Sequence, residues 1–221
     1  YQGDIWTVPA TGGKATRLTV HEGYESNPVF SPDGSSIAFS GARYGNNDIF
    51  VIPAEGGSPK RLTYHSGNDM ISSWTANGNI LFSTTREFQQ IERPSEVYTI
   101  SAKGGTESRL LDAVGYDPVQ SPDGRFIAIT RGDINPIQRE EYRGASNRDI
   151  WLYDTKTKTY TKITAYETND MLPRWGDNRT LYFLSTNSGR NNLYRLKIDE
   201  SGKPAGAPEQ LTDYKDHSIR Y

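Results

Sequence analysis

The chain has 221 residues, 34% hydrophobic and 24% charged, with a formal net charge of −2 and no cysteine. That is enough chain for a buried core, but a near-neutral balance offers no field to recruit nucleic acid or an anionic membrane surface. The missing cysteines exclude a disulfide framework and a thiolate metal site, and no stretch approaches the roughly 18–20 apolar residues of a membrane helix.

Taken in order, the chain is a series of recurring short strands of four kinds, A to D. Residues 1–19 hold only C (Asp4–Val8, opening on Asp4-Ile5-Trp6) and D (Thr16–Thr19, closing on Arg17-Leu18-Thr19). A full set follows in residues 20–63. Strand A ends in Pro28-Val29-Phe30, the turn is Ser31-Pro32-Asp33-Gly34, B is Ile37–Ser40, C is Asp48–Ile52, and D closes on Arg61-Leu62-Thr63. Proline presets φ at the turn and Asp-Gly tolerates positive φ, which predicts a tight hairpin. Further sets occupy residues 64–111, 112–164 and 165–212, and residues 213–221 lead into another strand A.

Successive triplets of the Asp-Ile-Trp kind (Asp4, Asp48, Glu96, Asp149, Asn192) are 44, 48, 53 and 43 residues apart. Four short strands repeating near 45 residues define an all-β chain built of four-stranded antiparallel blades, a β-propeller. A leading half-blade and a trailing stub predict a fragment of a longer protein whose ring has six blades. Two B–C connections are long, residues 87–95 and 132–147, and both should project from the face that carries the D-to-A connections. Loop insertions on a repeat scaffold often mark its binding face.

Catalysis needs a nucleophile with a placed base, paired carboxylates or a metal. The histidines are His21, His65 and His217; the first two are 44 residues apart, each one residue beyond a Leu-Thr pair, with Tyr166 at the matching place later. Their repetition predicts a structural role in the D-to-A turn. No G-x-S-x-G elbow occurs, so no catalytic residue is assigned. Asp33 and Asp123 lack calcium-loop spacing and are explained by the turn, so neither metal nor cofactor is expected. The tryptophans Trp6, Trp74, Trp151 and Trp175 fall at repeated strand positions, which predicts packing between blades.

Glu25, Asp69 and Asp170 align five residues before the last aromatic of strand A, while one repeat has Gly115 there with Asp117 two residues on. Arg43, Arg86 and Arg131 follow strand B. Strand alternation puts both sets at one end of the fold. They are candidates either for mutual ion pairs or for a charged rim that binds peptide termini.

The unit xxFSPDGxxIAF…DIWxxPxxGGxxxRLT resembles the WD40-like propeller repeat of TolB, of the tricorn protease amino-terminal region and of dipeptidyl-peptidase-type propellers. The resemblance covers essentially the whole chain and is nearest in look to bacterial tricorn-like serine proteases. Departures at Thr75-Ala76-Asn77-Gly78, at Gly176-Asp177-Asn178 and at Gln120 mark divergent blades. The resemblance implies a non-catalytic propeller that gates or binds peptide and packs against further domains of the same polypeptide. Alternatives are a TolB-like periplasmic protein-binding propeller and the lid of a prolyl-oligopeptidase-type hydrolase. The implied partners are peptide or protein, without nucleic acid or membrane insertion. The implied location is the periplasm or another exported compartment, with the cytoplasm as the alternative.

Overall fold

The structure, a computed structural model, describes residues 3–86, 95–132, 142–164 and 167–219. It forms two compact units, Tyr1–Ala113 and Val114–Tyr221. In the first, β1 (Trp6–Thr7) pairs with β2 (Thr16–Arg17). Two four-stranded sheets follow: β3 (Glu25–Phe30), β4 (Ser36–Gly41), β5 (Asp48–Pro53) and β6 (Lys60–Arg61), then β7 (Asp69–Trp74), β8 (Asn79–Thr84), β9 (Glu96–Ser101) and β10 (Ser108–Val114). The second unit holds β11 (Tyr116–Gln120), β12 (Phe126–Arg131), β13 (Asp149–Asp154) and β14 (Thr159–Lys162), then β15 (Asp170–Trp175), β16 (Thr180–Ser185), β17 (Asn192–Lys197) and β18 (Glu209–Gln210). Strands neighbour one another in sequence order in every sheet, and the pairings described are antiparallel. The expected propeller blades are therefore the observed fold class.

Period-two alternation explains why the second strand of each blade is apolar at consecutive positions. Ile37 and Phe39 of β4 pack with Ile5, Phe50 and Ile52 on one face, while Ala38 joins Ile49, Leu62, Ile71, Ile80 and Phe82 on the other. Both faces are buried because a blade lies on either side. Each fully buried side chain of this size contributes about 1.5–3 kcal/mol. In the second unit Phe126 and Ala128 meet Leu181, Phe183 and Tyr194 in the same manner.

First strands are longer than the sequence suggests and carry a bulge. Register slips between Ser26 and Val29, Tyr116 and Val119, and Met171 and Arg174. The residue two past the aligned acid position is left-handed each time: Asn27 (φ 54), Asp117 (φ 52) and Leu172 (φ 54). Asn27 is exposed, so backbone cost dominates there. Asn27→Ala is expected to lose about 1 kcal/mol and Asn27→Gly almost nothing, read as thermal midpoints.

The Ser-Pro-Asp-Gly turn differs in detail from its expectation. Only the glycines have positive φ, Gly34 at 71° and Gly124 at 76°, and Asp33 acts through its side chain. Its Oδ1 accepts from Ser31 Oγ at 2.6 Å and from Ser35 N at 3.1 Å. Those bonds, Ser31 first, hold the Asp33 carboxyl down at about 2.

Candidate functional site

The repeated triplets form an internal ion-pair and hydroxyl device. The acid that starts the third strand meets the basic residue of the fourth: Asp4 with Arg17, Asp48 with Arg61 at 2.7 Å, Asp149 with Lys162 at 2.8 Å. Burial raises the Asp48 carboxyl, against the pull of Arg61. The threonine that ends the fourth strand accepts a third-strand amide through Oγ1: Thr19 from Ile5 (2.9 Å), Thr63 from Ile49 (2.9 Å), Thr164 from Ile150 (3.0 Å) and Thr212 from Leu193 (2.9 Å). Asp-Ile-Trp and Arg-Leu-Thr recur because they are two halves of one clamp.

The aligned acids are buried as well. Glu25 is buried, accepts from Arg43 Nε at 2.7 Å and Nη2 at 2.5 Å, and also receives Thr19 Oγ1. Asp69, fully buried, takes a bidentate fork from Arg86, Nε to Oδ1 at 3.1 Å and Nη2 to Oδ2 at 2.6 Å. Arg86 also pairs with Glu107 and lies 5.5 Å over Phe82 and 5.2 Å over Tyr98. Burial opposes the charge on Arg86, but Asp69 and then Glu107 raise its pKa further. The structure thus brings four of the six candidates together in two pairs.

It treats the other two differently. Arg131 lies 4.8 Å over the Trp151 ring. Asp170 is fully buried with neither carboxylate oxygen hydrogen-bonded among the described residues. The position that holds Arg86 two residues after β8 holds Asn187 after β16. Burial first, and the Asp149 charge after it, push the Asp170 carboxyl up to about 7, with the Lys162 charge acting against them. Asp117, in the repeat with Gly115, is raised by burial, with Arg174 and Arg148 acting against it.

His21 and His65 play equivalent roles. Each Nδ1 accepts the amide two residues on, Gly23 at 2.8 Å and Gly67 at 2.9 Å. Asn46, in the B–C connection, donates to the His65 and Gly67 carbonyls at 2.9 and 3.0 Å, and Asn147 donates to Thr168 O at 2.6 Å. These B–C and D-to-A connections share a face within each unit. Tyr166, residues 87–94 and residues 133–141 lie outside the described residues. His217 packs on Tyr214 in a tilted pair with ring centroids 4.5 Å apart. Among the described residues no three His, Asp or Glu side chains converge as metal ligands.

Trp74 and Trp175 bind blades as expected, each donating Nε1 to the preceding first strand, at Val29 O (2.9 Å) and Val119 O (3.1 Å). Trp6 instead is 38% exposed and Trp151 carries Arg131. A groove of about 650 Å³ opens beside Trp74, at the A–B turns, on the end away from the acid–arginine pairs. Asp33, Ser36, Asn77, Ser101 and Lys103 line it with the indole. The only sequence sign of it is the departure from Ser-Pro-Asp-Gly at Thr75–Gly78.

A family model, the tricorn protease N-terminal β-propeller domain, matches residues 1–221. The tricorn protease homolog of Saccharolobus solfataricus is 28% identical over 216 residues, covering 96% of this chain and 20% of that protein. The crystal structure of the tricorn protease superposes with a TM-score of 0.81 at 22% identity, over 98% of this chain and 21% of the other. A putative TolB from Agrobacterium tumefaciens gives 0.73 at 19% identity, over 96% and 74%. Both structural likenesses show the fold. The chain spans about a fifth of the length of the curated tricorn relative it matches.

Proposed function

The chain belongs to the family of tricorn protease N-terminal β-propeller domains, and on that basis we propose that it is the non-catalytic propeller part of a tricorn-like serine protease. In this role it binds or admits peptide and packs against catalytic domains of the same polypeptide, in an exported compartment. The carrying observation is the match of that family over the entire chain. Local geometry supports the absence of a catalytic role: both Nδ1 atoms of His21 and His65 are engaged by backbone amides, and Ser31 and Ser121 hold turns. A TolB-like protein-binding role is the second reading, favoured by the 74% of that putative TolB chain matched here.

Titration of the protein with labelled peptides, with hydrolysis followed in parallel, tests the proposal. Binding that survives mutation of the protease nucleophile, and no turnover by this chain alone, is the expected result. Turnover by the chain alone overturns the non-catalytic role, and capture of a folded envelope protein without peptide affinity favours the TolB-like one. Glu25→Gln and Asp69→Asn test the charged rim. The buried pairing supports a loss of stability with peptide affinity unchanged, whereas a terminus-binding rim loses affinity. Cell fractionation tests the location.

A further inference from the structure

The groove beside Trp74 has a counterpart in the second unit that is filled by the protein's own side chains. The two sites match by their turns: Ser31 N donates to Ser36 O and Ser121 N to Phe126 O, each at 2.8 Å. Likewise Thr75 N donates to Asn79 O at 2.8 Å and Gly176 N to Thr180 O at 2.9 Å. Ser36 therefore corresponds to Phe126, Asp33 to Asp123, Trp74 to Trp175 and Gly78 to Arg179.

In the second unit Arg179 donates Nη1 to Asp123 Oδ2 at 3.0 Å and its guanidinium lies 5.4 Å over Phe126. Phe126 stacks on Trp175 with centroids 6.4 Å apart. The turn at Gly202 presses on the same ring, close enough that a Cβ there would come within 2.8 Å of Phe126 Cε1. In the first unit the phenyl ring is replaced by Ser36, the arginine by Gly78, whose added Cβ would meet nothing within 4 Å, and the groove stays open. Asp33 keeps the turn bonds on Oδ1, as Asp123 does. Its Oδ2 accepts only from Ser35 Oγ, at 2.9 Å, among the described residues.

We propose that this groove is a binding site for an arginine side chain of a peptide ligand, with Asp33 Oδ2 as the charge partner and Trp74 as the flat wall. Arg179 shows in the second unit the carboxylate contact that the ligand guanidinium makes in the first. The ring it lies over there is Phe126, and with Ser36 in that place the indole of Trp74 is the aromatic face left to the ligand. A planar guanidinium suits both a carboxylate and an aromatic face, which an ammonium matches less well. The Asp33 carboxyl, held at about 2, stays ionised throughout the physiological range. Lys103 also lines the groove, so one arginine among neutral residues suits it better than a polybasic run. The inference rests on the peptide-binding role proposed above and names the subsite.

The test is fluorescence anisotropy of the full-length protein with labelled Gly-Ala-Arg-Ala-Gly, and with peptides carrying Lys or Gln in place of Arg. The arginine peptide is expected to bind about fivefold more tightly than the glutamine peptide, the size of one exposed charge pair, and more tightly than the lysine peptide. Asp33→Asn keeps an Oδ1 acceptor for the turn and removes the charge; it should abolish that preference. Ser36→Phe fills the groove with the ring that Phe126 supplies in the second unit and should do the same, with thermal midpoints confirming a folded protein. Asp123→Asn, whose carboxylate is already engaged by Arg179, should leave the preference intact. Equal binding of all three peptides, unmoved by Asp33→Asn and Ser36→Phe, overturns the arginine site and leaves the peptide role standing. No peptide binding of any kind overturns both.

Discussion

Arg86→Met is expected to destabilise the protein by about 3–5 kcal/mol, the cost of leaving a buried charge without its partner. Asp69 is fully buried and its two oxygens are the fork on which Arg86 sits. Methionine keeps the packing against Phe82 and Tyr98 but removes the donors. Adding Asp69→Asn should recover most of the loss, because it replaces a stranded charge by a neutral amide. Urea unfolding of the single and double variants measures this, with the change read in the midpoint at constant slope. A loss under about 1 kcal/mol in the single variant would show that Asp69 stays solvated.

Asp170→Asn should act in the opposite direction. Its carboxyl, ordinarily at 3.8, is pushed up to about 7, chiefly by burial. A carboxyl raised on folding is protonated more readily in the native state than in the unfolded chain. It therefore costs nothing below about pH 4, and the penalty grows as pH rises from there to about 7 and is full above it. A rise from 3.8 to about 7 corresponds to about 4 kcal/mol. The asparagine variant is thus expected to be more stable by up to about 4 kcal/mol at pH 8 and no more stable at pH 3. Thermal or urea midpoints across pH 3–8 check it, and parallel wild-type and variant curves would refute it. Arg86 and Asp170 are opposite outcomes of one design: the same aligned acid, with an arginine after the second strand in one blade and an asparagine in another.

The blade pattern was readable because it rests on local chemistry. Alternation and β-branched residues specify strands, and Gly34 and Gly124 specify turns that need positive φ. The histidine turn role followed from the 44-residue spacing of His21 and His65, since a repeated residue serves the repeat. The bulges in the first strands were not readable as a repeat, because Asn27 and Asp117 are types that tolerate a left-handed backbone but the third such position holds Leu172. The partner of each charge was legible only in part. Alignment put Glu25 near Arg43 and Asp69 near Arg86, but it also grouped Arg131 with them, and only the fold turns that guanidinium onto Trp151.

By itself, then, the sequence determined the repeat, the strand count of each blade, the place of the turns and the family. These depend on residues within about 50 positions of one another, where periodicity carries the information. The tertiary structure decided which repeated residues are consumed by the scaffold and which face solvent. Asp33 and Asp123 have the same neighbours in sequence, Ser-Pro before and Gly after. One is engaged by Arg179, 56 residues away, and the other faces an open groove. That difference is set by what the adjacent blade places opposite each turn, a glycine or an arginine, and packing between blades is the physical term that a single repeat cannot encode.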